Sequence, residues 1–279
     1  MPISNLRSHG RRLRLPVLGV TAFATFWFGA LDGARPQADA PRGAPNAARA
    51  DASSAARPQA DAPIAYRLLA LDVGGRSRRM HRFRVQVARM RAEVFDLGFK
   101  VPIAGWLGDS SFAVNGGYWE YHLGKPRMIG WVVSRGKQLS PLRKKLDGGV
   151  LLVRDARAQI VKSSALDPKP AGIELAVQCK PRLVEAGKVV PQLHTTGTST
   201  RTAVCTRDAG ATLDVFLSDP RELGPTLAEL GHWLAAQGCS DALNLDGGPS
   251  TAASFRAGDG VMQIGTGVYL PYAIRFFPR

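Results

Sequence analysis

From residue 64 to the C-terminus, apolar residues come in short runs cut by glycine, proline and polar turns, and only 226–237 carries helical spacing. Runs this short, bounded by turn signals, specify strands rather than amphipathic helices. Strands are expected at 66–73, 83–87, 112–114, 127–133, 149–153, 173–177, 203–205, 213–217 and 267–277, and 92–99 fits either element. Within 226–237, Leu227, Leu230, Trp233 and Leu234 share one helical face, and Gly238 follows where a C-terminal cap belongs. Many strands with few helices predict an α+β fold: a single domain on a mixed, largely antiparallel β-sheet core with flanking helices.

Two segments precede that domain. Arg7, His9, Arg11, Arg12 and Arg14 stand before an uncharged apolar stretch from Leu15 to Leu31. A charged start followed by an apolar run is an export signal, so 1–32 is expected to be a signal peptide or an N-terminal membrane anchor. The stretch is slightly short for a bilayer span, and no small-residue cleavage site follows it, which leaves both forms open. Residues 33–63 are rich in Ala, Pro, Arg, Asp and Gln, and Ala-Arg-Pro-Gln-Ala-Asp-Ala-Pro occurs at 34–41 and again at 56–63. So little apolar surface cannot offset ordering entropy, and a disordered linker is expected. The folded domain is assigned to 64–279, and the protein to the periplasm or the extracellular side.

Lys and Arg number 37 against 22 Asp and Glu, a net charge of +15. Such an excess favours anionic partners. The arginine-rich stretches at 7–14 and 76–91 lack the interleaved aromatics of a single-strand-binding surface, and an export signal argues against nucleic acid. Cys179, Cys205 and Cys239 have no C-x-x-C spacing, which sets aside a structural zinc site. One pair is open to disulfide formation in an exported protein, and the spacing does not say which.

Three polar turns follow apolar runs. Leu-Asn-Leu-Asp-Gly-Gly-Pro-Ser-Thr at 243–251 ends a strand pattern on Asp246, and its alternation puts Asn244 and Asp246 on one face. Glycines there let the backbone turn sharply and approach a ligand. Asn115-Gly116-Gly117-Tyr118-Trp119 is the second turn; alone it reads as a hairpin. The third, 197–202, places Arg201, with its planar donor fork, at the entrance to a strand.

Taken in order, the Asn-Gly-Gly turn with its aromatics, Arg201-Thr202-Ala203-Val204, the segment Gly224 to Leu230 and the segment Ala242 to Thr251 resemble the phosphodiester glycosidase family. That family includes N-acetylglucosamine-1-phosphodiester α-N-acetylglucosaminidases and bacterial relatives associated with exopolysaccharide. Departures are Pro249 in place of a third glycine, Cys205 where Gly or Ala is usual, and Pro220 after Asp219. Proline removes a backbone donor, so substrate choice or activity is open to change at the Asp246 turn.

The resemblance implies hydrolysis of a glycosyl-1-phosphodiester in an envelope or extracellular glycan. Asp246, Arg201 and Asp219 are implied as catalytic. Arg201 would stabilise the departing phosphate, Asp246 would act as nucleophile or base, and Asp219, preferred to Glu174, would be a second carboxylate. Asn115, Gly116, Gly117, Thr202, Asn244, Gly247, Gly248, Ser250 and Thr251 are implied as substrate-binding. Trp106, Tyr118 and Trp119 are candidates for stacking on sugar, and His194 for assistance. No cofactor or metal site is assigned, with a divalent cation left open because carboxylates and phosphate attract hard cations. The expected partners are a sugar-phosphate or polysaccharide substrate, and the membrane through the N-terminal segment. The alternative is a catalytically inactive glycan-binding or exopolysaccharide-assembly protein of the cell envelope.

Overall fold

The computed structural model of the chain describes residues 62–265 and 269–279; the expected signal or anchor and nearly all of the linker lie outside them. Within the described residues three antiparallel sheets enclose the core. The largest has seven strands, ordered Ile64–Val73, Arg76–Gln86, Thr212–Ser218, Thr202–Arg207, Asp241–Asn244, Arg182–Glu185 and Lys188–Val189. A five-stranded sheet runs Arg157–Lys162, Gly149–Arg154, Leu175–Cys179, Val132–Ser134 and Lys137–Ser140. Another five-stranded sheet runs Gly260–Ile264, Ala253–Ala257, Phe112–Asn115, Tyr269–Pro278 and Met90–Pro102. Trp119–His122 and Lys125–Met128 form a separate ribbon.

Period-two alternation sorts each central strand between two layers. On one face of the seven-stranded sheet, Phe83, Val204, Val215, Leu217 and Leu243 meet Leu151 and Val177 of the second sheet and Phe112 and Ile274 of the third. On the other face, Met80, Ala203, Cys205, Phe216 and Ala242 pack against Leu230, Trp233 and Leu234 of the helix Leu227–Ala236. A strand covered on both sides must be apolar almost throughout, as 213–217 is apart from Asp214. Burying such runs at roughly 25 cal/mol per Å² of apolar surface is the dominant stabilisation of the sandwich.

The helix begins at a capping box. Thr226 Oγ1 accepts from Glu229 N at 3.2 Å, and Thr226 N donates to the Glu229 carboxylate at 2.8 Å. It ends as its sequence anticipates, with Gly238 at φ +79°.

Two expectations need correction. The largely antiparallel sheet holds, since every strand pairing described is antiparallel, but Leu227–Ala236 is the one α-helix among the described residues, so the domain is predominantly β and the flanking helices and mixed sheet are not found there. The physical reason is that antiparallel pairs need no helical crossover, whether they return through a tight turn, as Ile64–Val73 and Arg76–Gln86 do, or join strands far apart in the chain, as Arg76–Gln86 and Thr212–Ser218 do. The run 127–133 is also not one strand, because Gly130, at φ +87°, turns the chain between Lys125–Met128 and Val132–Ser134. The ambiguous 92–99 lies inside the strand Met90–Pro102.

Cys205 and Cys239 form a disulfide that ties a central strand to the loop after the helix, while Cys179 stays free and buried. Closing a loop with a sequence separation of 34 restricts the unfolded chain. By loop-closure entropy that is about 3–4 kcal/mol of stability. Cys239→Ser should therefore lower the unfolding free energy by about this amount in urea titration of the full chain. An unchanged midpoint would show that the bond contributes nothing.

Candidate active site

The Asn115, Arg201 and Asp246 turns meet where strand ends of the seven-stranded sheet approach those of the third sheet. The seam is made by one side chain. Asn115 is fully buried, and its Nδ2 donates to the carbonyl of Asp246 at 2.8 Å and to that of Gly116 at 3.2 Å. Its Oδ1 accepts from Thr202 Oγ1 at 2.8 Å and from Ala252 N at 3.3 Å. Asp246 N completes the seam by donating to Gly116 O at 3.4 Å.

Beyond the last paired strand residues, 245–248 runs beside 200–202. Leu245 N donates to Thr202 O at 2.9 Å, Gly248 N to Thr200 O at 2.7 Å, and Thr200 Oγ1 to Gly248 O at 2.7 Å. The stem of Arg201 lies against Gly247: a methyl group added there would come within 3.8 Å of Arg201 Cδ. Asp246 and Arg201 are thereby brought together.

Burial raises the Asp246 pKa above its ordinary value, opposed by hydrogen bonds from Ser250 and from Gly247 N, the latter at 3.1 Å. Arg201 is anchored by Nε to Pro225 O at 3.2 Å and by Nη2 to Gly197 O at 2.7 Å. Among the described residues no carboxylate pairs with it. Burial lowers its pKa, yet a guanidinium stays charged. Tyr118 stands in the field of both groups and donates its hydroxyl to Lys180 O at 2.7 Å; burial, then Cys179 and Asp246, raise its pKa. Cys179 touches the same hydroxyl, and burial pushes its thiol up to about 12, so it stays protonated.

Other residues of the expected site turn out to build the scaffold. Thr202 is spent on Asn115. Asn244 Nδ2 bonds Lys180 O at 3.2 Å and Leu245 O at 2.7 Å beneath the turn. Gly116 and Gly117 are glycines because Tyr272 packs on them; a Cβ at Gly116 would fall 2.0 Å from the ring. Gly248, at φ +60°, supplies the turn. The N–H groups of Gly248, Ser250 and Thr251 bond within the turn or to Thr200, so they are not displayed to a ligand. Thr251 is buried, while Ser250 is half-exposed beside Asp246.

Asp219 is not drawn into this cluster. Its carboxylate is 1% exposed and is gripped by Arg221 at 2.8 and 3.0 Å and by Arg79 at 3.2 Å, with His81 Nε2 at 3.7 Å. Glu174 lies apart, accepting from Ala92 N and pairing with Arg279. Trp106 is a core residue, Trp119 packs at the core's edge, and His194 is an exposed loop residue whose carbonyl accepts from Ala228 N. Among the described residues no cluster of three or more His, Cys, Asp or Glu is placed to hold a metal ion, and no helix is long and apolar enough to cross a membrane. Tyr272 and the Cys179–Lys180 strand end were missed in the sequence, since each reaches the site from an unrelated strand without a local motif.

A family model for phosphodiester glycosidases matches residues 109–270. Among solved structures, the chain is similar to the catalytic domain of zebrafish N-acetylglucosamine-1-phosphodiester alpha-N-acetylglucosaminidase auto-inhibited by its pro-peptide. That match has a TM-score of 0.61 and 15% identity, over 79% of this chain and 85% of that one. A hypothetical protein from Synechocystis gives a TM-score of 0.59 at 14% identity, covering 78% of this chain, which spans 62% of that protein's length. A Burkholderia pseudomallei protein named for suspected export gives 0.55 at 14% identity, over 72% and 74% of the two chains. At such identities these structures share the fold. No curated protein matches the chain in sequence.

The Asp219 cluster makes a pH prediction. Hydrogen bonds from Arg221, and the charges of Arg221 and Arg79, hold the Asp219 carboxyl far below the ordinary range, against the effect of burial. A depressed folded pKa adds stability that is complete above the unfolded value of about 3.9 and is lost as pH falls towards the folded one. Asp219→Asn should therefore lower the melting temperature at neutral pH, with the gap to wild type closing below about pH 4. A gap that stays constant into acid would show that the ion cluster is not stabilising.

Proposed function

Since the chain belongs to the phosphodiester glycosidase family, we propose that it hydrolyses a glycosyl-1-phosphodiester of an envelope or extracellular glycan at the Asp246–Arg201 turn. The observation that carries this reading is a desolvated carboxylate on a turn that runs beside a guanidinium with no described carboxylate partner, both in the field of Tyr118. The bond to break joins the anomeric carbon to a phosphate oxygen. A phosphate monoester leaves as a stable anion and needs charge stabilisation more than a proton. Arg201 supplies the fixed cation, held by two carbonyls so that little reorganisation accompanies the reaction. Asp246 acts at the anomeric carbon, by direct attack or by taking a proton from water, and the anomeric configuration of the released sugar tells the two apart.

No second carboxylate is needed as an acid for the leaving group, and in the direct-attack course water then cleaves the glycosyl ester on Asp246, which releases the sugar and returns the carboxylate. Asp219, ionised and saturated by arginines, has no proton to donate, and a phosphate leaving group does not require one. We assign it to holding the strand end beside Arg201, whose backbone carbonyl accepts from Ser218 N at 2.9 Å. Tyr118 and Ser250 are placed to orient substrate hydroxyls around Asp246. Pro249 does not argue for an inactive protein: it sits inside the short 3-10 turn Gly248–Ser250, where a first-turn N–H has no helical partner to lose. The disulfide, the similarity to a protein named for suspected export and the apolar 15–31 stretch support export, with 1–32 as signal or anchor.

Asp246→Asn should abolish release of sugar from a panel of sugar-1-phosphodiesters, and Arg201→Ala should lower kcat by about 10²–10³-fold. Because burial raises the Asp246 pKa, the acidic limb of kcat/KM should fall above the ordinary aspartate value of about 3.9. Turnover at the wild-type level in either variant would sink the assignment.

A further inference from the structure

Arginines crowd the seven-stranded sheet on the face that the helix covers, from the register of Ala203, where Arg82 and Arg67 lie, to Arg207 at the end of its strand away from Arg201. Arg84 grips the buried Asp214 through Nε at 2.9 Å and Nη2 at 3.0 Å, and Arg207 adds its own Nε to that carboxylate at 2.7 Å. Register puts Arg67 opposite Arg82, Arg82 opposite Phe216 and Arg84 opposite Asp214, so all share the face on which Phe216 meets Trp233. Gly238, just past the helix, lies against Arg207: a Cβ there would come 3.1 Å from its Nη1. The cluster therefore begins where the helix ends. Arg67 is exposed, and Arg82 and Arg84 are half-buried.

The charges do not balance. Arg82 is within electrostatic reach of Arg67, Arg84 and Arg207 as well as Asp214, and its buried Nε has no hydrogen-bond partner among the described residues. Burial, and then its arginine neighbours, lower its pKa. Asp208 is the other carboxylate near Arg84, and it accepts from Thr212 Oγ1 at 2.8 Å. Four guanidinium groups thus face two carboxylates. Elsewhere on the same hairpin Arg78 is matched by Glu229, and Arg79 by Glu222 and Asp219. A cation cluster that repels itself and keeps an unused buried donor is complementary to an oxyanion, for which the guanidinium fork is shaped.

We propose that Arg67, Arg82, Arg84 and Arg207 form an anion-binding subsite that holds a phosphate or carboxylate group of an acidic glycan chain. The anion site stands on the cluster itself; the choice of glycan rests on the function proposed above. From Arg201 to Arg207 along one strand is about 20 Å at ~3.3 Å per residue. An acidic polymer held at the arginines thus keeps its linkages near Asp246 at a raised effective concentration, which a short substrate does not gain.

Calorimetric titration of the full chain with inorganic phosphate, at constant ionic strength, tests the subsite without reference to turnover. Saturable binding weakened about tenfold by Arg82→Gln, and also by Arg67→Gln at an exposed position, is expected. Equal binding by wild type and both variants would overturn the subsite, as would binding that survives Arg82→Gln but vanishes in Arg201→Ala. Alginate and neutral dextran then test the ligand class. Alginate retention that depends on Arg82, with none for dextran, supports the glycan. Arg82-dependent binding of duplex DNA with no binding of alginate would overturn it.

Discussion

The amide of Asn115 is the interaction on which the arrangement depends. It closes two sheets on one another at the point where each has run out of strand. Nδ2 donates to carbonyls on both chain turns while Oδ1 accepts from Thr202 and Ala252, so donor and acceptor functions are both used inside the protein. Neither aspartate, which offers no donor, nor leucine, which offers neither function, satisfies those four groups. A buried polar network of this kind is stabilising only when complete, because each orphaned member costs about 1–3 kcal/mol. By binding the backbone of Asp246 rather than its carboxylate, Asn115 fixes the residue and leaves its acid for chemistry.

Two aspartates at neighbouring strand ends illustrate how environment divides labour. Asp246 is desolvated, with only short donors beside it, and its pKa rises. Asp219 is no more exposed, yet hydrogen bonds from Arg221 outweigh burial and its pKa falls. The first has reactivity to give; the second is committed to holding charge. When environments push carboxylates apart in this way, roles follow from neighbours rather than from residue type.

The strand pattern and the helix with its Gly238 cap were legible in sequence because each is written locally, in short apolar runs and helical spacing, while the meeting of the 115, 201 and 246 turns was implied by the family resemblance. What was not legible is set by distant packing. Gly116 and Gly117 read as ligand-approach glycines, yet the ring that requires them is Tyr272, more than 150 positions away in the chain. Nothing local to Asp219, expected as a second carboxylate, announces Arg79, which pairs with it from an adjacent strand. Flanking helices were expected because a fold class was inferred from the single helical period that exists. The short strands Arg157–Lys162 and Gly260–Ile264 were not among those expected, and each is held by antiparallel pairing with the strand before it, Gly149–Arg154 and Ala253–Ala257.

The same electrostatic logic bears on why the site is built from carbonyls. Pairing Arg201 with a carboxylate would neutralise it and leave a developing phosphate anion to compete for it. Holding it on Pro225 O and Gly197 O keeps the full charge, and the stability given up by leaving a half-buried cation without a counter-ion is borne by the surrounding sheet. Sites that break a local rule in this way are where fold stability and function are set against each other. The strand that carries Arg201 at one end carries Arg207 at the other, where Asp214 is shared with Arg84 rather than given to Arg207 alone. Carbonyl anchoring at one end and a shared carboxylate at the other are two ways of keeping positive charge uncompensated on one rigid strand.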